Sequence, residues 1–467
     1  MSKILTAGRR AFAVVLLVMA SSIPARAQQA DTVRLTLSAA VTRGVELSEE
    51  VRTARAEQDI AEGRVIEARA GALPQITANL AYNRTLASIF DDISFSMPEN
   101  GDDEDGENPF ASLPFGRPNV WNASLQIAQP LYSGGRVGTA MRIARQVRLA
   151  ARLEVEEAET EMALQVRTAY LQAVLAREFV AISREAFDLA SAQLAQVELF
   201  QQQGTASEFD VLRARVERDN LEPAIVEAVN ARRLAELNLK RLVNIPADQP
   251  IELATDLDAQ IADVDRSALQ AALDGRPALR SLDAVVAARE DAVRIAQADR
   301  LPSLGAAATF AYQAFPNQVT PFDTDWRRDW SVGVQLSIPV FDGFRTSGRV
   351  RQARAELEQT RLQREQVRQG IELELEAALG EFDDARAQIE ARSATVAQAR
   401  RTLELAELRF RSGLATQLDI SSARLLLEQA RVNEAQALYN YMNALARLER
   451  VTGGEIPLVS QRLPTGG

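Results

Sequence analysis

The sequence predicts a mainly α-helical protein that also carries a transmembrane β-barrel, and three observations predict it. The chain is written twice. Pro130-Leu131-Tyr132-Ser133-Gly134-Gly135-Arg136 and the later Gly204–Val211 segment reappear as Pro339–Arg345 and Gly413–Ile420, both at an offset of 209 residues. Internal duplication of this kind points to a symmetric architecture. Between the two landmarks of each copy lies a very long helical pattern. Before the first landmark lie short segments of period two, the length of a tilted membrane strand. No apolar run of about 20 residues is present beyond the N-terminal region, so a simple membrane-spanning helix is not expected, and the other way across a bilayer is a closed barrel.

Residues 1–27 read as a secretory leader. Lys3, Arg9 and Arg10 precede the apolar run Ala11–Ala20, and Ala25-Arg26-Ala27 fits a small-x-small cleavage site. Removing them takes away four basic and no acidic residues and moves the formal net charge from −11 to −15. So acidic a surface argues against nucleic acid as a partner. Hydrophobic residues make up 46% of the chain but aromatics only 5%, so core volume must come from Ala, Leu and Val, as in closely packed helices. The chain has neither Cys nor His, which excludes disulfides, thiolate or imidazole metal sites and His-dependent catalysis. No cofactor or metal is expected.

In chain order, the first copy opens with a helix over about 36–72 that stops at Leu73-Pro74, and its counterpart covers about 267–300 and stops at Leu301-Pro302. Strands follow. Ile76, Ala78, Leu80 and Tyr82 alternate with Gln75, Thr77, Asn79 and, imperfectly, Ala81, and Trp121, Ala123, Leu125 and Ile127 alternate with Asn122, Ser124, Gln126 and Ala128. In the second copy Leu304, Ala306, Ala308, Phe310 and Tyr312 share a face, and so do Trp330, Val332, Val334, Leu336 and Ile338. The expected lipid-facing residues are Trp121, Leu125, Ile127, Phe310, Tyr312, Trp330, Val332, Val334 and Leu336. Trp121, Trp326 and Trp330 sit at or just before strand starts, as an interfacial girdle requires. The acidic stretch Asp91–Arg117 between the first two strands lacks calcium-loop spacing and reads as a solvated loop.

The long helices come next. From Gly138 to Gly204 there is no intervening Gly or Pro, about 100 Å if continuous. The second runs over about 347–412. Such lengths need packed neighbours rather than propensity alone. Each ends at a Gly followed by Ser/Thr-x-x-Asp: Gly204, Thr205, Ala206, Ser207 and Asp210, then Gly413, Leu414, Ala415, Thr416 and Asp419. The spacing resembles a capping box, so helix capping is one reading of both aspartates. Facing a pore mouth is a second reading, and compatible with the first. Pro130 and Pro339 end a strand before an aromatic-x-Gly-x-Arg corner, Tyr132/Gly134/Arg136 and Phe341/Gly343/Arg345.

The shared order of Leu-Pro stops, Pro-hydrophobic-aromatic-x-Gly corners and Gly-x5-Asp tips in both halves resembles the TolC-type outer-membrane efflux protein family over nearly the whole mature length. The resemblance implies a homotrimer with a long α-helical barrel, four strands per chain and a trimeric 12-stranded outer-membrane barrel in lipid. It implies passive, gated exit for a tripartite efflux pump or a type I secretion system, with a periplasmic adaptor protein docked at the tips (204–207 and 413–416) and an inner-membrane transporter as energy source. In the family, acids near the second tip form an aperture ring. Asp419 matches the first such position and Ser422 the second, so a double-acid ring is not supported; Asp210 is the counterpart in the first copy, with Arg213 beside it.

The organisation expected is a signal peptide (1–27), periplasmic helices (28–74), a first outer-membrane hairpin with its acidic loop (75–131) and a long helical hairpin (132–244). A connector (245–266) leads to the second copy: helices (267–301), hairpin (302–340), long helical hairpin (341–453) and tail (454–467). The competing reading is a soluble periplasmic coiled-coil scaffold or adaptor, which explains the helices but not the lipid-like strand faces. Enzymatic activity is not expected: no Ser-centred, phosphate-binding or metal motif is present.

Overall fold

A computed structural model describes residues 32–87, 117–258, 261–322, 324–392, 394–453 and 458–462. The expected leader and nearly all of the acidic loop lie outside the described residues. The first copy comprises β1 (Val33–Leu35), α1 (Leu37–Leu47), α2 (Glu49–Ala70), β2 (Gln75–Arg84), β3 (Asn119–Tyr132), α3 (Arg136–Gln202), α4 (Glu208–Asp219) and α5 (Glu222–Leu242). After β4 (Ile251–Leu253) and β5 (Ile261–Val264), the second comprises α6 (Arg266–Ala272), α7 (Pro277–Ala298), β6 (Ser303–Ala314), β7 (Arg327–Ser337), α8 (Arg345–Arg392), α9 (Thr395–Arg411) and α10 (Gln417–Thr452), with β8 (Leu458–Arg462) last.

The axis of the molecule is α3. Its 67 residues span about 100 Å, with the strands at one end and Gly204 at the other. It packs in turn against α7, α2, α1, α5, α4 and α10, which is how a helix of this length is stabilised. Small buried residues along it, among them Ala144, Ala150, Ala151, Ala169, Ala173 and Ala190, let those neighbours approach closely.

Several expected elements are divided. The helix expected over 36–72 breaks at Ser48, whose hydroxyl accepts from the Val51 N–H and starts α2 afresh. The one expected over 267–300 breaks at a 3-10 turn, Leu273–Gly275, before Pro277 opens α7. The second long helix is not continuous either: α8 ends at Arg392 and α9 starts at Thr395, although no Pro or Gly lies there. The return helix of the first copy is split before Pro223, whereas α10 runs unbroken through 36 residues.

The connector and the tail are more than linkers. β4 pairs in parallel with β1, and β5 pairs antiparallel with β8. Each pair is sealed to the helices by a fully buried tyrosine. Tyr170 donates to the Leu35 carbonyl at 2.8 Å and accepts from the Thr255 N–H at 3.0 Å; Tyr441 accepts from the Ala262 N–H at 2.8 Å. Around them lie two cores, one with Met162, Val166 and Leu239, the other with Leu269, Phe382 and Leu448. Tyr441→Phe should therefore leave the Ala262 N–H without its partner and cost about 1–3 kcal/mol, read as a lowered denaturation midpoint.

Candidate membrane face and tunnel tip

The sheet runs β2-β3-β6-β7, antiparallel throughout. Directly paired residues share a face, so the register tests the facing. Ile76, Ile127, Ala308 and Val332 form one row across the four strands; Ala78, Leu125, Phe310 and Trp330 form the next; Leu80, Ala123, Tyr312 and Arg328 the one beyond. Trp121 pairs with Tyr82 and Ala314, Val334 with Ala306, and Leu336 with Leu304. All nine strand residues singled out above thus fall on one face. The other face carries Thr77, Gln126, Thr309 and Ser331 in one row and Asn79, Ser124, Ala311 and Asp329 in another. The apolar face is uncovered in the single chain: Val332 is 79% exposed, Val334 66% and Leu336 60%. Contiguous apolar surface of this kind marks a partner or a membrane. Its strands of 10, 14, 12 and 11 residues reach the length a tilted strand needs to cross a bilayer.

At the helix end of the sheet, Gly134 has a φ of +63°, and a Cβ there would sit 2.9 Å from Leu301 Cβ and 3.1 Å from the Ala298 carbonyl. Only glycine fits this corner, where β3 hands over to α3 beside the end of α7. In the second copy Gly343 and Phe344 are the left-handed pair, and Asp342 accepts from the Thr346 N–H at 2.9 Å to start α8.

The opposite end is the tip. Gly204 and Gly413 are left-handed, with φ of +74° and +71°, and let the Thr205 and Leu414 N–H groups bond back to the Phe200 and Arg409 carbonyls, both at 2.8 Å. Asp210 accepts from the Ser207 N–H at 3.0 Å and hydroxyl at 2.6 Å, and Asp419 from the Thr416 N–H at 2.7 Å and hydroxyl at 2.8 Å. The Ser207 hydroxyl holds the Asp210 carboxyl below the ordinary aspartate range, and the Thr416 backbone N–H does the same for Asp419. Both are therefore ionised at neutral pH. Because the folded value is the lower one, the capping contribution is complete above about pH 4 and is lost as pH falls through the depressed value. Amide protection of 204–210 and 413–419 should accordingly be flat from pH 8 to 5.

The two tips touch each other. Phe200 and Phe410 lie 6.0 Å apart, and the buried Gln417 amide bridges the Asp210 carbonyl and the Ala214 N–H at 3.1 and 3.2 Å. Glu217 on α4 accepts from Arg213 at 3.1 Å, from the Ser421 hydroxyl at 2.6 Å and from the buried Arg424 at 3.1 Å. Ser422 is exposed; its neighbour Ser421 makes the cross-hairpin contact. Sequence spacing could show only the i,i+4 partner Arg213, because Ser421 and Arg424 lie more than 200 residues away. Glu217→Ala should strand Arg424 and loosen the tips, seen as faster proteolysis near 204–207 and 413–416 with assembly retained.

Among the described residues no helix is long and apolar enough to cross a membrane, and no cluster of acids could hold a metal ion. The family model described as outer membrane efflux protein matches residues 45–244 and 268–454. The alkaline protease secretion protein AprF of Pseudomonas aeruginosa is 25% identical over 365 residues, 74% of this chain and 73% of that one. The outer membrane protein TolC of Escherichia coli is 23% identical over 408 residues, 84% of this chain and 77% of that one. The crystal structure of the outer membrane protein VceC of Vibrio cholerae superposes with a TM-score of 0.72 at 19% identity, covering 90% of this chain and 96% of that one.

Proposed function

Since this chain belongs to the outer membrane efflux protein family, we propose that it acts as a trimer whose three sheets close into one 12-stranded barrel above a hollow helical stem. The protein is an outer membrane channel of a Gram-negative bacterium with a periplasmic helical tunnel, serving tripartite efflux or type I secretion. Its place in such a system implies adaptor and inner-membrane partners. The alternative of a soluble periplasmic scaffold is not favoured.

One observation carries the finer reading: a four-stranded antiparallel sheet with one continuous apolar face and two edges, β2 and β7, that are unpaired among the described residues. Four strands cannot enclose anything. Two copies would give eight strands, an interior just wide enough for side chains to fill, so an open conduit asks for at least three copies. Exposed edges of this length also demand pairing in some form. The nine apolar strand residues then face lipid, and the polar rows line the lumen. At the far end the ionised Asp210 and Asp419 of each copy give the aperture a preference for cations. The segments 204–207 and 413–416, with Leu414 72% exposed, offer the adaptor its docking surface. Transport needs no covalent step: packed helices at the tip shift, and the partner pump supplies the energy.

Native mass spectrometry of the detergent-extracted protein, with conductance in planar bilayers, tests this reading. Three chains per particle and discrete open-channel currents are expected. A protein released as a soluble single chain without detergent would reject it.

A further inference from the structure

We propose that the outer rim of the apolar face binds the phosphate of an outer-leaflet lipid headgroup through Arg328 and Arg84; this rests on the lipid-facing reading above. Both arginines lie at the strand ends away from the helices. Arg328 pairs with Tyr312, two positions before Trp330, and so shares the apolar face, while its neighbour Arg327 pairs with Gln313 on the polar one. Arg84 is two positions beyond Tyr82, on the same apolar face.

Arg328 stands beside one aromatic cluster, and Arg84 lies two positions along its strand from a second. The Arg328 guanidinium is 5.8 Å from the centre of the Trp330 ring, which meets Phe310 and Tyr312 edge-on at 5.5 and 6.2 Å. Tyr82 packs on Trp121 at 4.9 Å, and the Trp121 indole N–H is fixed by the Val319 carbonyl at 2.8 Å. Stacking on an aromatic orients a guanidinium while leaving its N–H fork free. Among the described residues neither Arg84 nor Arg328 makes an ion pair, and both are exposed. The charge pattern is selective. In a chain of net charge −11, the four strands contain a single acid, Asp329, and it lies on the polar face. Apolar rows, then aromatics, then unpaired arginines is the order of chemistry met on passing from acyl chains to phosphates. Closure of β7 against β2 of the next copy would set the two clusters on adjacent strands, so the site is complete only across the subunit seam.

The test uses the purified trimer with lipid A, either diphosphorylated or enzymatically dephosphorylated, followed by native mass spectrometry and by the temperature of trimer dissociation. The diphosphorylated form is expected to be retained and to raise that temperature. Retention should fall about tenfold in the R84A/R328A pair and stay unchanged in R327A. Should the alanine pair fail to assemble, R84Q/R328Q replaces it with the same readings. Equal retention of both lipids, or an equal loss in R327A, overturns the site. A Val334→Arg protein that inserts normally would instead overturn the lipid-facing reading beneath it.

Discussion

A Val334→Arg protein is expected to fail to insert into outer-membrane lipid, while Gln335→Arg inserts normally. The two positions are adjacent, yet Val334 pairs with Ala306 on the apolar face and Gln335 with Gly305 on the polar one. A guanidinium on the lipid side at mid-membrane depth costs about 2–4 kcal/mol, and symmetry repeats the cost in every copy. On the lumen side it meets water and costs little. The comparison is internally controlled, because both variants add the same side chain to the same strand. Folding into vesicles, followed by heat-resistant trimer on a gel, separates them. Leu336→Arg should behave like Val334→Arg, since Leu336 pairs with Leu304 in the same apolar pattern.

The second large effect is expected at Arg276, before the start of α7. Arg276 is 3% exposed and donates to Glu374 on α8 at 2.8 Å and to Glu157 on α3 at 3.0 Å. Arg450 on α10 joins the same cluster through Glu374 and, at 2.9 Å, through Glu161. The buried Arg276 guanidinium thus ties the start of α7 to α3 and α8, and Arg450 brings in α10 through the shared glutamates. Arg276→Ala leaves Glu157 and Glu374 to Arg450 alone beside a cavity and should cost about 2 kcal/mol, less than a fully broken buried pair because Arg450 stays and both glutamates keep some contact with water. Arg276→Met, which keeps the packing, should cost no less than half of that if the charge carries the effect. Equilibrium denaturation followed by helical circular dichroism reads both.

The strand faces were legible because period two is a short-range signal: Trp330, Val332, Val334 and Leu336 alternate with Ser331, Gly333 and Gln335, and the register places them together. The tips were legible because Gly, Ser/Thr and Asp satisfy helix ends within four residues of one another. The breaks at Ser48 and before Pro277 carried ordinary start signals that were overrun by the helical pattern around them. β1 and β4, three residues each, are too short for any period to register; pairing between Val33 and Ile251 makes them strands. The interruption between Arg392 and Thr395 has no breaker residue, so local sequence could not announce it. The Arg276 cluster and the Glu217–Arg424 bridge join residues 76 or more positions apart. Among many charged helical positions, nothing local marks which arginine is buried.

The most direct measurement places Trp330 in a vesicle. With Trp121 and Trp326 replaced by phenylalanine, Trp330 becomes the sole tryptophan. In proteoliposomes made with bromine-labelled acyl chains, its fluorescence is expected to be strongly quenched, while acrylamide in the water should have little effect. Strong quenching by acrylamide together with indifference to the brominated lipid would contradict a sheet that turns its apolar face to the bilayer.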